Sequence, residues 1–441
     1  MRESSIIARG AFVLCAMLAG TSCVDGQSAP PDVRATGETA ATDVLADSTL
    51  DRMLREIQPA VERTSGMRAV APLNVAVTDE ARLRSYLEAQ MGAQLSDEKA
   101  AALTSVYARL GLVPEDLDLK GLLKALLEEQ VIGYYDPRSD TLFVHDRVPP
   151  DALAPVLAHE LVHALQDQYV PLDSIVASFG ERSDPVGAYQ AAVEGHATYA
   201  MMEWQFAEMT GGEADLTAMP DMGPMLEGID LTALGDFGSA EVLAGAPAVV
   251  REGLIFPYIG GLLFLQRSWT KLGDRPLPFR GDLPRSTEQI LHVDRWIEGD
   301  SPTLVAFATD AGDLEVVRAS DLGEFETRLF LREFLDDQAR ADAAAAGWDG
   351  DAYRLLRGAD GEVLVWVSVW DTPEDAEEFA AAARDAYGVR YGAEPGRRPT
   401  VEVGPEHEAL RTDGRTLVTI VDAPPGVSVS TRLTEVELSG N

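Results

Sequence analysis

The chain has 441 residues, of which 46% are hydrophobic and 25% are charged, and this ordinary globular composition excludes a wholly disordered, collagenous or repeat-array protein. Its 73 acidic residues outnumber its 36 basic residues, and the net charge of -37 argues against nucleic acid as a partner because such a surface repels phosphate backbones. The length predicts two or three domains, each able to bury its own core.

Residues 1–22 are typical of a signal peptide, because a start flanked by arginines leads into the apolar run Ala11–Ala19, which is too short to span a membrane. Small residues then precede Cys23, a pattern that resembles the box of bacterial lipoproteins, in which this cysteine is lipidated after cleavage. Gly20 replaces the leucine usual three places before the cysteine, so cleavage without lipidation stays open. We expect export to the periplasm or the cell surface, with a lipid anchor at Cys23 as the one route to a membrane.

Of the two cysteines of the chain, Cys15 lies in the signal peptide and Cys23 follows it directly, so we expect no disulfide in the mature protein. Residues 23–48 are rich in Asp, Ala, Thr and Pro and are predicted to form a flexible tether. Residues 49–300 are predicted to form the domain that carries the chemistry. A change of composition then begins a smaller α+β domain of unknown role, residues 301–441.

The first part of the domain at residues 49–300 is predicted to contain a short strand, three helices and a hairpin. Acidic first turns and a glycine stop mark the helices, and an Asp-Pro-Arg-Ser-Asp turn joins the two strands of the hairpin. The predicted elements are the strand Leu73–Val77, the helices Asp79–Met91, Asp97–Leu110 and Leu117–Glu129, and the hairpin strands 130–135 and 141–145.

Apolar helices dominate the second part of this domain. The spacing of apolar residues predicts helices at Ala152–Gln168 and Ala188–Met209. Residues 210–245 have no clear period and are predicted to form a long loop or a lid. The apolar stretch Gly253–Leu265 is too short to cross a bilayer and contains Pro257, which predicts a buried pair of helices.

The C-terminal domain is predicted to mix helices and strands, so the whole chain is assigned to the α+β class. Trp366 and Trp370 lie on one predicted strand and are expected to fill the core of this domain. The predicted elements are the helix Asp321–Ala344, the strands Tyr353–Leu356, Val363–Trp370 and Thr416–Val421, and the helix Pro373–Tyr387.

One motif carries chemistry: His159, Glu160 and His163 form an HExxH pattern in the middle of the predicted helix 152–168. Four residues are just over one helical turn, so both imidazoles project from one face and can bind a single metal ion. Glu160 is rotated by about 100° from His159 and lies beside the open coordination position, where it can accept a proton from water. The other interpretation is an exposed amphipathic face with a solvated glutamate.

A catalytic zinc site needs a third protein ligand and leaves the fourth position for water. The next predicted helix offers Glu194, whose neighbours are alanines and a glycine that permit close helix approach. A carboxylate in that apolar setting is costly unless it meets a cation. His196, two residues further on and on another side of the helix, is the rival ligand or else lies beside the site without coordinating.

These residues resemble the gluzincin type of zinc metallopeptidase, in which an HExxH helix is followed by a glutamate on a later helix. They are more closely similar to a little-characterised group of exported, often lipoprotein, predicted peptidases of bacteria and archaea. The resemblance covers about residues 70–300. It rests on the segments 133–137, 159–168, 194–195, 256–258 and 286–292.

The resemblance implies a Zn²⁺ ion bound by His159, His163 and Glu194, with Glu160 as the general base. It also implies a mainly helical zincin-like domain with a small sheet and an edge hairpin. In this class, an edge strand before the active-site helix binds the substrate backbone, and Thr141–His145 occupies that place in the sequence, although an ordinary sheet strand is the equal alternative.

One position departs from the gluzincin pattern. Many gluzincins carry an aspartate four residues after the ligand glutamate, where it supports a histidine, but this chain has Thr198 there. Either another group orients the imidazole, with Asp167 one turn after His163 as a candidate, or the support is weaker.

Two further residues are candidates for stabilising the oxyanion of a tetrahedral intermediate, which requires a positioned donor. They are His292, within a capped helix, and Tyr258, within the Phe-Pro-Tyr segment. The bland alternative for His292 is a place on a well-capped surface helix.

The sequence therefore predicts zinc-dependent hydrolysis of peptide bonds in a peptide or protein substrate, with water activated by the metal and Glu160 as its base. The alternative is a surface-anchored binding or structural protein that keeps a zinc site and cuts nothing. A complete HExxH motif argues against that alternative, because structural zinc sites usually have four protein ligands and no use for Glu160. Manganese or cobalt could occupy the same ligands.

Overall fold

The computed structural model describes residues 47–148, 150–226, 241–308, 311–392, 398–404, 416–425, 427 and 434–439. The predicted signal peptide at 1–22, the candidate lipidation site Cys23 and all of the predicted tether before residue 47 lie outside the described residues. Residues 227–240 of the predicted loop or lid also lie outside them. The described protein is a mixed α+β structure, which confirms the predicted fold class.

The chain up to residue 300 is mainly helical, and its elements match most of the predicted ones. They are α1 (Asp47–Thr64), β1 (Asn74–Thr78), α2 (Glu80–Gln94), α3 (Asp97–Leu110), α4 (Leu119–Gln130), β2 (Gly133–Asp136), β3 (Thr141–His145), α5 (Leu153–Tyr169), α6 (Leu172–Ser178), α7 (Asp184–Thr210), α8 (Gly223–Leu226), α9 (Glu241–Gly245), α10 (Ala248–Leu272), α11 (Thr287–Leu291) and α12 (Val293–Glu298). The helices α1, α6, α8, α9 and α12 were not predicted. Helix α1 begins at the end of the segment expected to be a tether, and α8 and α9 lie in the segment 210–245 expected to be a loop or a lid.

Side-chain caps explain why α2 and α3 begin where the sequence predicts. Asp79 accepts a hydrogen bond from the backbone N–H of Arg82, and Ser96 accepts one from the N–H of Lys99. Gly111 ends α3 in the left-handed conformation, which a glycine adopts without steric cost. The local capping signals therefore fix these helices before any tertiary contact is considered.

Strands β1, β3 and β2 form a three-stranded sheet in that order, with β1 parallel and β2 antiparallel to β3. The prediction that Thr141–His145 is an edge strand is wrong, because neighbours pair with β3 on both sides. The free edge of the hairpin belongs to β2. His145 donates its N–H to the Ile132 carbonyl at 2.8 Å, so Ile132 is hydrogen-bonded to β3. Because such residues alternate along an antiparallel strand, the backbone groups of Gly133 and Tyr135 point away from β3.

Different helices cover the two faces of this sheet. On one face, Tyr135 and Leu142 share a hydrophobic core with α1 and α5. On the other face, Tyr134 stacks on Tyr86 of α2 with 4.1 Å between ring centroids. The sheet thus holds α5, which carries the HExxH motif, in a fixed position behind the β2 edge.

The stretch predicted to be a pair of helices is one helix, α10, which continues through Pro257. The prediction was wrong because packing against neighbouring helices compensates for the backbone hydrogen bond that a proline removes. Among the described helices, α10 is the one long and apolar enough to cross a membrane by length and composition, and half of its most apolar window is buried inside the protein. Buried core helices meet the same criteria.

Helices α7 and α10 cross in direct backbone contact. A Cβ atom added at Gly195 would lie 2.2 Å from the Gly261 carbonyl carbon, and one added at Gly261 would lie 1.9 Å from the Ala191 carbonyl oxygen. Real atoms cannot approach that closely, so both positions require glycine. The small residues noted around Glu194 in the sequence do permit the close helix approach that was expected.

The C-terminal region contains a five-stranded antiparallel sheet in the order β5-β6-β7-β9-β8, together with three helices and a separate two-stranded pair. The elements are β4 (Leu304–Phe307), β5 (Glu315–Ser320), α13 (Gly323–Phe334), α14 (Gln338–Ala345), β6 (Trp348–Gly358), β7 (Gly361–Trp370), α15 (Pro373–Tyr391), β8 (Thr400–Val403), β9 (Thr416–Asp422) and β10 (Val436–Ser439). The single helix predicted at Asp321–Ala344 is two helices, because Asp337 caps the start of α14. Trp366 and Trp370 are buried, as predicted.

The regions before and after residue 300 share one hydrophobic core. A single cluster of buried residues extends from α2 and α3 to β7 and α15. Phe256 of α10 stacks on Phe325 of α13 with 4.1 Å between ring centroids. The regions on the two sides of the predicted boundary at residues 300 and 301 therefore differ in topology but share one hydrophobic core.

Buried carboxyl groups also join the two regions. Asp184, at the start of α7, accepts hydrogen bonds from the backbone N–H and the hydroxyl of Thr287, at 2.9 and 2.5 Å. The Asp184 N–H donates to Asp321 at 2.8 Å. Burial raises the pKa of Asp184 well above its usual range, and Asp321 raises it further.

Glu326 of α13 is a second buried carboxyl group at this junction. It accepts a hydrogen bond from the Tyr107 hydroxyl of α3 at 2.8 Å. Burial raises the pKa of Glu326 to about 8; the Tyr107 hydrogen bond opposes the rise and Asp351 adds to it. Because an unfolded glutamate ionises near 4.3, the folded protein retains a proton here that the unfolded chain releases.

We predict that Gly261→Ala destabilises the fold, because its Cβ would force α7 and α10 apart. The free energy of unfolding should fall by about 1–3 kcal/mol or more, measured by urea unfolding of the metal-free protein. Gly92→Ala is the matched control, since Gly92 is a helical glycine with no atom within 4 Å of an added Cβ. Equal stability of the two variants would contradict the close crossing.

We predict that Glu326→Gln flattens the pH dependence of stability. A carboxyl pKa raised by folding makes stability fall as pH rises from about 4.3 toward about 8, by roughly 1.4 kcal/mol per pH unit for one group. The glutamine keeps an acceptor for Tyr107 and removes this slope. Urea unfolding at several pH values between 5 and 8, with chelator present, measures the difference, and exposed Glu208→Gln should leave the slope unchanged.

Candidate metal centre

The HExxH motif lies on α5 as predicted, and its two imidazoles converge. The Nε2 atoms of His159 and His163 are 3.0 Å apart. Glu194 of α7 brings its Oε2 atom to 3.2 Å from each of these nitrogens. The two helices thus place two nitrogens and one carboxylate oxygen around a single point.

This geometry fits a zinc ion. Ligand atoms that lie about 2.0–2.2 Å from a tetrahedral zinc ion are separated from one another by about 3.3–3.5 Å. The three observed separations, 3.0, 3.2 and 3.2 Å, come close to that spacing. Within the described ranges, His159, His163 and Glu194 are the one group of three such side chains whose ligand atoms are near enough to share an ion.

The Glu194 carboxylate is buried and charged. Its side chain is 1% exposed. Burial raises the pKa of Glu194, but the His163 and His159 imidazoles outweigh burial and lower it to about 2. Burial likewise lowers the pKa of His163, and Glu194 outweighs it and raises that pKa to about 9. The site therefore holds a buried negative charge that requires a cation beside it, either an imidazolium or a metal ion.

Glu160 lies next to this group without a salt bridge to any described lysine or arginine. It is 7% exposed, and its Oε2 atom is buried with no hydrogen-bond partner among the described residues. Burial raises the pKa of Glu160, while His163 and His159 oppose the rise. An enclosed carboxylate oxygen with no protein partner is free to interact with water or a substrate.

Strand β2 passes directly over Glu160. A Cβ atom added at Gly133 would lie 2.6 Å from Val156 Cγ1 and 3.3 Å from Glu160 Cγ, so glycine is needed for this approach. The backbone of Tyr135 forms a hydrogen bond to Glu160 that lowers the glutamate's pKa. The outward-facing backbone groups of β2 therefore border the site.

Gln166, not Asp167, contacts the ring of His163. Its Oε1 atom lies 2.8 Å from His163 Nδ1. Gln166 thus fills the role predicted for Asp167, because the residue three positions after His163 faces this ring and the residue four positions after it does not. Asp167 instead accepts a hydrogen bond from the Tyr135 hydroxyl at 3.1 Å. The Thr198 hydroxyl is buried without a partner among the described residues, so it gives the histidines no support.

His196 is beside the site but outside the ligand group. Its Nδ1 lies 3.2 Å from Gln166 Nε2, and its Nε2 lies 3.0 Å from the Ser65 carbonyl oxygen. Burial lowers the pKa of His196 to about 4, so the ring is neutral. Both ring nitrogens face other partners, which favours Glu194 over His196 as the third ligand.

The two candidates for oxyanion stabilisation have different neighbours. The ring of Tyr258 lies against His159, with 5.9 Å between centroids. Burial and the charges of Glu194 and Glu160 raise the pKa of Tyr258 well above its usual range, so its phenol remains a donor. The His292 side chain is 44% exposed, and its Nε2 contacts Glu324 of α13 at 2.8 Å.

Sequence reasoning missed Gln166 and the glycines at 133 and 261. Gln166 lies three residues after His163 on the same helix, a spacing that places two side chains in contact and could have identified it. The glycines carried no such signal, because their role depends on which elements cross there.

Comparison with known proteins adds one similarity. Residues 313–434 match a family described as a domain of unknown function (DUF8575). The matched part is the C-terminal region and contains none of the three candidate ligands. No curated protein and no solved structure matches the chain.

We predict that Glu194→Ala loses bound zinc and that His196→Ala retains it. Removing a ligand should weaken binding by more than the about 10- to 100-fold that loss of an outer hydrogen-bond partner costs. Metal content after dialysis against micromolar zinc, measured by mass spectrometry, checks both variants. If Glu194→Ala retains zinc and His196→Ala loses it, His196 and not Glu194 is the third ligand.

Proposed function

We propose that this chain is a zinc-dependent peptidase of the gluzincin type that acts outside the cytoplasm. The observation that carries the proposal is the convergence of His159, His163 and Glu194, with the Glu160 carboxylate beside them, whose Oε2 atom has no partner among the described residues. Three protein ligands leave one position open, as catalytic zinc sites require and structural sites do not. A small sheet, an HExxH helix behind it and a second helix with the third ligand are also consistent with a zincin-like domain.

The chemistry follows from the donor set. When bound, zinc supplies Lewis acidity, which polarises a carbonyl and lowers the pKa of a water to about 7. Glu160 would accept the proton of the attacking water and deliver it to the leaving amine. Its enclosure supports this role, because burial raises the carboxyl pKa toward the working pH.

A peptide substrate suits the surroundings of the site. Strand β2 forms the edge of the sheet beside Glu160, and an edge strand in this place could pair with an extended peptide. This strand takes over the role first assigned to Thr141–His145. The Tyr258 hydroxyl could donate a hydrogen bond to the oxyanion, since the phenol stays protonated beside His159.

Export is part of the proposal and rests on the sequence of the leader. Residues 1–22 would direct secretion, and Cys23 would anchor the mature chain if it is lipidated. The preference for zinc over manganese or cobalt rests on ligand type, since two imidazoles and one carboxylate are a common catalytic zinc set.

We predict that Glu160→Gln retains zinc and loses hydrolysis. The amide preserves shape but cannot accept the proton, so cleavage should fall by about 10²- to 10⁴-fold. Zinc-loaded protein is incubated with a mixed peptide library, with and without chelator, and the products are identified by mass spectrometry.

Exposed Glu208→Gln on α7 is the matched control for loss of one negative charge, and it should cleave like the natural chain. Full activity of Glu160→Gln would end the peptidase proposal. Zinc-loaded natural protein that cleaves nothing would instead support the binding or structural protein considered from the sequence.

A further inference from the structure

A line of buried hydrogen bonds leads away from the back of His163. Gln166 Oε1 lies 2.8 Å from His163 Nδ1, and Gln166 Nε2 lies 3.2 Å from His196 Nδ1. His196 Nε2 then lies 3.0 Å from the carbonyl oxygen of Ser65, in the segment after α1. Gln166 and His196 are both 0% exposed, so water does not compete for these bonds.

A backbone carbonyl fixes the direction of every bond in this line. Gln166 Nε2 lies 2.9 Å from the Val193 carbonyl oxygen, which can only accept. The amide nitrogen must therefore face Val193, and the amide oxygen must face His163. His163 Nδ1 then carries a hydrogen and donates it, which leaves the Nε2 lone pair directed at a metal ion.

The same carbonyl determines the state of His196. The second hydrogen of the Gln166 amide points to His196 Nδ1, so this nitrogen accepts. His196 Nε2 then carries the ring hydrogen and donates to Ser65. His196 is fully buried, so it could reach a metal ion only by breaking both of these hydrogen bonds without solvent exposure.

We propose that Gln166 and His196 are positioning residues that hold His163 in the orientation and tautomer required of a metal ligand. The inference rests on the zinc site of the proposed function and extends it to side chains outside the ligand group. Partners of this kind orient an imidazole and typically change metal affinity by about 10- to 100-fold.

A neutral amide suits this position better than a carboxylate. Glu194 and Glu160 already place two carboxyl groups around the ligand helix, and both are more than nine-tenths buried. A third buried carboxylate behind His163 would add another charge without a cation. Gln166 supplies the acceptor without that charge, and its N–H groups join α5 to α7 through Val193 and His196.

The test is the zinc affinity of Gln166→Leu, measured by competition with a chromophoric chelator. The expected result is a dissociation constant about 10- to 100-fold above that of the natural chain. Gln266→Leu is the matched control, because Gln266 is also a buried glutamine with backbone partners, Met222 and Leu216, on a different helix. It should lose comparable stability and keep its zinc affinity. A Gln166→Leu affinity within twofold of the natural value would overturn the proposal.

A second measurement needs neither zinc nor hydrolysis. The chain has 6 histidines, so ¹⁵N-histidine labelling gives a countable set of ring signals in metal-free protein. His196 should show the tautomer with its hydrogen on Nε2, and Gln166→Leu should alter that signal. A hydrogen on Nδ1 would refute the line of bonds. Failure of the peptidase proposal would leave both readouts intact, because neither measures cleavage.

Discussion

A carboxylate with 1% of its side chain exposed is stable only beside positive charge, and Glu194 meets that condition through two imidazoles at 3.2 Å. This ion pairing holds α5 and α7 together, because separating the two helices would leave the buried Glu194 carboxylate without a positive partner. The imidazoles hold its pKa near 2, so the carboxylate stays ionised at neutral pH. A divalent ion satisfies the same carboxylate and frees both rings to act as ligands.

Close backbone packing makes that arrangement possible. Glu194 precedes Gly195, which touches Gly261 of α10, so the helix that supplies the carboxylate is clamped one residue away from it. The same crossing brings Tyr258, about one turn before Gly261, against the ring of His159. On the opposite side Gly133 lets β2 approach Glu160. Small residues therefore set the spacing of the groups around the candidate metal centre.

Local patterns account for what the sequence predicted well. The HExxH spacing places His159 and His163 on one helical face, and the apolar surroundings of Glu194 indicate a charge that needs a partner. Pairing and crossing are tertiary properties, so sequence reasoning missed the central place of β3 and the continuity of α10 through Pro257. Gln166 could be predicted in part. Its contact with His163 follows from their spacing on one helix, but the direction of its amide depends on the Val193 carbonyl of α7.

The C-terminal region bears on the chemistry through packing. Phe256 of α10 stacks on Phe325 of α13, and Tyr258 lies two residues further along the same helix. Asp184 ties the start of α7 to Asp321 in the same region. Helix α7, which packs on the HExxH helix, and helix α10, which carries Tyr258, are thus both contacted by residues beyond position 300. Under the proposed function, an imidazole or phenol displaced by even 1 Å would lose much of its catalytic effect, so this packing would help to keep the candidate ligands and Tyr258 in position.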